Sequence, residues 1–466
     1  MKVNEPITTK EYCIVPSHDA FLSIMESYTA DLITSEKQKR LGVHKAENDY
    51  RALHYVGAVW LVNINDSEQK VPLLVHPKVS DDNRMLDAVS MLDIAIQRPE
   101  IFEACEKASQ EDIFRIFDDQ ESIDSVDSVA DISMFQAAWY LKMLASFCHR
   151  NLRQGFIRVD ENLTGKVKGK ILIEQQLRNN IVRGRADRIC CRYETMTIDT
   201  LPNRILRYAL RLATGLLNQK HSGQNNSLEN IWLWARQAES ALSGVALMPV
   251  AINDFRDIRY SGSLSNYKSI HALAKALIGN FRLDTSSGKI EPTGSIVPFA
   301  LNMNTLYEAY VGVKLKNAGF ENLLSQESMN VPFGKGYNKP FRPDYCSSCG
   351  RLVLDAKYKR YLQSSNDERI SEDLEQLLAY SVLVPVAMKN KANIHSMVTQ
   401  NEHWAFLVVP TMDQKEITLG NDRFPETVGK CIEMTFPVAG RLRAGVIECP
   451  VPTIQRGTKG DILLAD

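Results

Sequence analysis

The chain lacks a G-x-x-x-x-G-K-[ST] run, so any nucleotide hydrolysis tied to its work must come from another protein. Gly334-Lys335-Gly336 and the Gly165/Gly169 pair do not have that spacing and read as turns. No stretch has the uninterrupted apolar length of a membrane span, and the opening MKVNEPITTKEY has no apolar signal core. A cytoplasmic protein without membrane association is expected. The nine histidines are dispersed with no H-x-x-x-H pair, and His76 and His403 read as structural. Nine cysteines include a single C-x-x-C, Cys346/Cys349, while Cys190 and Cys191 are adjacent. A four-ligand zinc site needs a second pair, so these read as reduced thiols. A strong net charge is also missing: 55 basic against 56 acidic side chains give −1, which excludes a globally basic nucleic-acid binder but not a basic patch.

What is present is ordinary globular composition, 44% hydrophobic and 24% charged, over 466 residues, too long for one core. Tyr55 to Ile64 reads as a strand, followed by a turn at Asn65 to Glu68 and a second strand ending at Val79. Leu86, Val89, Met91 and Leu92 mark a helix, and the acidic, Ser-rich 111–131 reads as an exposed connection. Helices follow at 134–152, from about Leu201, at 228–242 and at 267–281. Between Asn151 and Gly215, ten Arg and three Lys face six acids, a local excess suited to phosphate contacts, with Arg183 and Arg185 near its middle. The alternative is a solvated surface balanced by acids elsewhere. Turn residues at 284–295 mark the best domain boundary.

The densest chemistry lies in RPDYCSSCGRLVLDAKYK, Arg342 to Lys359. Arg351 to Leu354 predicts a strand running into Asp355, and Cys346 to Gly350 the turn before it, so a hairpin brings Asp344 beside Asp355. Side chains two apart in a strand share a face, which sends Asp355 and Lys357 together and Ala356 into the core. Two carboxylates and an ammonium suit metal-assisted phosphodiester cleavage: hard oxygens hold Mg²⁺, and the cation stabilises developing charge. Upstream, Leu306, Tyr310 and Val313 give 303–315 a helical apolar face, with Glu308 within reach of the acids. Downstream, 373–384 predicts a helix with Gln376 and Tyr380 four apart on one face.

In this order, Glu308, Pro343-Asp344, Asp355-Ala356-Lys357 and Gln376-Leu377-Leu378-Ala379-Tyr380 resemble the successive motifs of the PD-(D/E)xK nuclease superfamily, and the Q-x-x-x-Y element its RecB-like branch. The resemblance implies Mg²⁺, with Mn²⁺ able to substitute, held by Glu308, Asp344, Asp355 and the Ala356 carbonyl. It further implies a catalytic Lys357 and a DNA-positioning Gln376/Tyr380 pair. Lys359 and Arg360 are expected at backbone phosphates.

A looser resemblance covers much of the rest. Val56-Gly57, Val59 and Leu61, then His76-Pro77-Lys78 and Met91-Leu92, are similar to the N-terminal part of the McrC family. Arg153-Gln154-Gly155, Glu161-Asn162-Leu163, Gly169-Lys170-Ile171, Cys191-Arg192-Tyr193, Asp199-Thr200 and Asn203-Arg204 look like that family and its LlaJI-type relatives. The implied protein is the nuclease subunit of a modification-dependent restriction system, acting on DNA with an McrB-like AAA+ GTPase or ATPase hexamer that it also stimulates. Two copies would serve double-strand cleavage. The resemblance does not cover the extra helical sequence at 223–265. The expected architecture is α/β and multidomain: a small N-terminal partner-binding α/β module (1–115), a mainly helical, basic middle domain (116–290) and a C-terminal PD-(D/E)xK nuclease fold (291–466), a mixed sheet flanked by helices. Two other readings stay open, a repair or recombination nuclease paired with a helicase, and a non-catalytic assembly factor. Loss of the second acid or the lysine would favour the last, and both are present.

Overall fold

The computed structural model describes residues 6–16, 19–27, 43–46, 49–63, 65–79, 84–117, 120–124, 130–221, 228–283, 289–320, 322–331, 340–359, 367–391, 402–413, 415–417, 428–436 and 440–455. Gly334 to Gly336 and Arg360 lie outside them. The chain is α/β and forms two compact units, one of 1–125, 223–230 and 297–466, the other of 126–222 and 231–296. The segments expected as separate first and last domains thus fall in one unit. None of the described helices is long and apolar enough to cross a membrane.

Among the described residues the first unit contains two two-stranded sheets and two larger ones. One has the order β1 (Ile7–Lys10), β3 (Lys70–His76), β2 (Tyr55–Val62), β5 (Phe299–Asn302), β4 (Phe114–Ile116). β1 runs parallel to β3, and the other pairings are antiparallel. Two findings here depart from the sequence reading. The segment 111–131 is not simply an exposed connection: Ile113 and Phe114 are buried, and the Phe114 ring lies 5.5 Å from that of Phe299. Flanking acids conceal a strand too short to show periodicity. And β5, from the far side of the sequence, is inserted between β2 and β4. Gly57 makes room for it, since a Cβ at that position (φ +150°) would stand 2.2 Å from the Phe299 carbonyl oxygen.

From β5 the chain passes directly into α1 (Met303–Asn317). The Asn302 side chain caps the helix by accepting from the Thr305 N–H at 3.2 Å. Leu306, Tyr307, Ala309, Tyr310, Val313 and Leu315 are buried, so the helix is apolar on nearly all sides. The second sheet has the order β6 (Leu323–Ser325), β7 (Tyr345–Ser347), β8 (Leu352–Ala356), β9 (Glu402–Thr411), β11 (Gly440–Pro450), β10 (Val428–Phe436). β8, β9 and β11 are parallel neighbours, and the other pairs are antiparallel. β8 is buried along its whole length, as a central strand should be. α2 (Asp367–Lys391) extends beyond the predicted 373–384 at both ends and packs its Leu377 and Val384 into the core beside Val353, Ala405 and Leu407.

The second unit is not purely helical. Helices Ala130–Asn151, Leu201–His221 and Tyr267–Asn280 pack together, with Tyr267 donating to the Asn203 side chain at 2.8 Å. Beside them, Gly155–Thr164 and Arg188–Thr197 pair over ten residues as an antiparallel ribbon, joined by Lys170–Ile171. The basic stretch lies only partly on this ribbon: Arg158, Lys170, Arg188 and Arg192 are on its strands, and the rest are on the adjoining turns, loops and helices. Strand pairing sets acids opposite arginines, Arg192 with Asp160 at 2.5 Å and Arg158 with Glu194 at 4.0 Å; both acids are among the six within the stretch, so its basic excess stands.

Candidate active site

β7 and β8 form the predicted hairpin, although Cys346 is a buried strand residue rather than part of the turn, and Cys349 is exposed. Asp344, just before β7, accepts the Ala356 N–H at 2.7 Å and is thereby fixed against the end of β8. Asp355 is buried, and its Oδ2 lies 2.8 Å from Lys357 Nζ, the pairing that the two-residue strand period requires. Lys357 also donates to Gln376 Oε1 on α2 at 3.0 Å, and Gln376 Nε2 to the Tyr380 hydroxyl at 3.0 Å. The Tyr380 ring stacks on Phe341, 5.9 Å between centroids. Glu308 joins from α1 through Gln326, whose Nε2 donates to Glu308 Oε2 at 3.2 Å and to Asp344 Oδ1 at 3.0 Å. All six residues of the predicted motifs are therefore linked in one network.

The electrostatics follow from placing three carboxylates together away from water. Burial raises the Glu308 carboxyl to about 7, against the pull of the Lys357 ammonium and with a further push from Asp355. Burial likewise lifts Asp344 well above the ordinary carboxylate range, reinforced by Glu308 and Asp355 and opposed by Lys357 and the Ala356 N–H. Burial works against the charged form of Lys357, but Asp355, Asp344 and Asp373 outweigh it and hold its pKa above that of a free lysine.

Among the described residues no three His, Cys, Asp or Glu side chains are gathered as a ready-made metal cage. The acids are instead engaged by Gln326 and Lys357. Yet Asp355 Oδ2 is buried with no aligned hydrogen-bond donor, only the ion pair with Lys357. Hard oxygens that repel one another and lack sufficient counter-charge match what Mg²⁺ binds, so the donor set fits the metal that the motifs imply.

Two parts of the site carry no motif. Gln326 occupies the left-handed region at φ 52° and donates its own N–H to the Asp344 carbonyl at 2.8 Å, which aims its amide between the two acids. Tyr345 donates to the Glu308 carbonyl at 2.6 Å, through a slot that exists because residue 312 is glycine. Lys359, expected at phosphates, is paired with buried Asp373 at 2.6 Å. Arg183 and Arg185 belong to the second unit, exposed on the turn between Leu177–Ile181 and the ribbon strand Arg188–Thr197, and are not part of this cluster.

A family model described as the McrBC 5-methylcytosine restriction system component matches residues 50–390, from the start of the β2 region through the site and into the end of α2. Two solved structures from Thermococcus gammatolerans are similar to the chain. One is a half-complex from a tetradecameric assembly of McrB AAA+ hexamers with bound McrC, at 17% identity and a TM-score of 0.37, covering 95% of each chain. The other is the McrBC complex, at 16% identity and a TM-score of 0.28, covering 67% of this chain and 88% of that one. No curated protein matches. With the family model spanning most of its length, the chain belongs to the McrBC 5-methylcytosine restriction system component family.

Proposed function

We propose that the chain is the DNA-cleaving subunit of a restriction complex, a metal-dependent endonuclease working with an McrB-like AAA+ NTPase that it stimulates. The six-stranded sheet with α1 and α2 is then a PD-(D/E)xK nuclease core. The observation that carries this reading is the network in which Glu308, Asp344, Asp355 and Lys357 meet Gln376 and Tyr380. Glu308, Asp344, Asp355 and the Ala356 carbonyl would hold Mg²⁺ or Mn²⁺, which supplies charge neutralisation at the phosphate and acidifies a bound water. Lys357, held between Asp355 and Gln376, would stabilise developing negative charge and orient the attacking water. Gln376, exposed, and Tyr380, half-buried, present hydrogen-bonding groups beside Lys357 where a DNA strand would pass.

Family membership supports the partner, as does the second unit's surface. There Ile173, Leu177 and Ile181 repeat every four residues on the exposed side, next to exposed Val182 and the basic Arg178, Arg183 and Arg185, a combination suited to another macromolecule. Cleavage of both DNA strands would call on two copies of the site.

The test is plasmid cleavage in Mg²⁺, with and without the AAA+ partner, for wild type, Asp355→Ala and Lys357→Ala. Loss of cleavage in both variants, with partner NTPase stimulation retained, is expected. Cleavage that survives both substitutions removes the assignment.

A further inference from the structure

Lys78 stands at the end of a motif, His76-Pro77-Lys78, that the cleavage reading leaves without a role. It follows β3 in the N-terminal sheet and crosses to the strand end that carries the site. Its Nζ lies 4.1 Å from the centroid of the Tyr12 ring and 4.3 Å from that of Tyr358, a cation held between two aromatic faces. The same ammonium donates to the Tyr358 backbone carbonyl. Tyr358 is buried and follows Lys357 directly. The Lys78 backbone N–H in turn donates to Glu11 Oε2 at 3.1 Å, and Glu11 is buried alongside.

Beyond Ala356 the β8 pairing ends. Past it, Lys357 donates its N–H to the Val408 carbonyl at 2.9 Å, and Lys359 folds back to the Lys357 carbonyl at 2.7 Å. The turn that aims Lys357 therefore has few ladder bonds of its own, and Lys78 contributes both a ring contact and a hydrogen bond to the residue beside it.

We propose that Lys78 is a positioning residue for the cleavage centre: clamped between Tyr12 and Tyr358 and bonded to the Tyr358 carbonyl, it fixes the strand end from which Lys357 reaches Asp355. The inference rests on the reading of Lys357 as catalytic. Lys78 touches no reacting atom; it acts through the backbone at Tyr358, so its loss should lower turnover without weakening the grip on DNA.

The experiment uses the full-length chain with its AAA+ partner and compares Lys78→Arg, the charge-balanced double variant Lys78→Met/Glu11→Gln, and Lys357→Ala. The double variant leaves no uncompensated buried carboxylate, so folding is retained and is checked by thermal melting. Expected for it are a kcat at least tenfold lower, an unchanged KM for DNA, and faster amide hydrogen exchange confined to 352–359. Lys78→Arg, which keeps a cation between the rings, should recover part of kcat. Wild-type kcat and exchange in the double variant, with Lys357→Ala inactive, would overturn the role of Lys78 alone. An active Lys357→Ala would overturn the cleavage reading beneath it.

Discussion

The Tyr345 hydroxyl donates to the Glu308 carbonyl at 2.6 Å across the space left by Gly312, tying the strand after the first aspartate to the helix that carries the glutamate. A Cβ at residue 312 would stand 2.4 Å from the Tyr345 hydroxyl oxygen and 2.8 Å from Ile101 Cγ2. Gly312→Ala must push the ring or the helix aside, at about 1–3 kcal/mol of stability. Tyr345→Phe keeps the ring and removes the bond to Glu308 with the weak contact to Cys105 Sγ at 3.6 Å, about 1 kcal/mol. Denaturant unfolding should rank the two in that order, and cleavage should fall further in Gly312→Ala because the separation of Glu308 from Asp344 changes.

Gln326 is the shared donor of Glu308 and Asp344. Hydrogen bonds to a carboxylate favour its charged form, so Gln326→Leu, similar in size but without a donor, should make both acids hold their protons to higher pH. The rising limb of the cleavage pH profile is expected to move upward by roughly one unit. An unmoved limb would mean that neither acid governs it.

Lys359 and Lys357 both face Asp373, at 2.6 Å and 3.9 Å. Removing Lys359 leaves buried Asp373 to draw Lys357 away from Asp355. Lys359→Ala should therefore lower kcat severalfold at constant KM for DNA. A lysine serving mainly as a phosphate contact would instead raise KM and flatten its salt dependence.

His271 is buried, with Nε2 3.1 Å from the Pro202 carbonyl and Nδ1 3.1 Å from the Tyr260 hydroxyl. A carbonyl can only accept, so Nε2 carries the proton and Nδ1 accepts from Tyr260, the neutral form. Burial lowers its pKa from 6.5 to about 4, with the Pro202 carbonyl opposing. The unfolded chain thus binds the proton more readily than the folded one between these values. Stability is fully present above pH 6.5 and is lost as pH falls toward 4, by at most about 3 kcal/mol. Melting temperature against pH should show this loss, and His271→Gln should flatten that part of the curve.

Arg183 and Arg185 are exposed on the ribbon side of the second unit. If they meet phosphates, replacing both with alanine should weaken DNA binding at all sequences alike. It should also reduce the slope of log K against log salt by about two. Fluorescence anisotropy over a salt series measures both.

The acids and the lysine are legible in the sequence because strand and helix periods fix which side chains share a face: Asp355 with Lys357, Gln376 with Tyr380. The supports around them are not. Gln326 enters through one left-handed residue and a backbone bond to Asp344, neither of which leaves a pattern in composition. Lys78 and Tyr358 are 280 positions apart, and only the fold of the first unit brings them together. The basic stretch shows the same limit, since the pairing of Arg192 with Asp160, 32 apart in sequence, exists only once the ribbon forms.

The chain leaves the first sheet after β4 and returns to it at β5, and the two points are joined: the Phe117 N–H donates to the Pro298 carbonyl at 3.0 Å. What lies between them opens and closes side by side. β5 leads straight into the helix that carries Glu308. The place where the chain closes its long excursion is thus also the place from which the first acid of the cluster is hung.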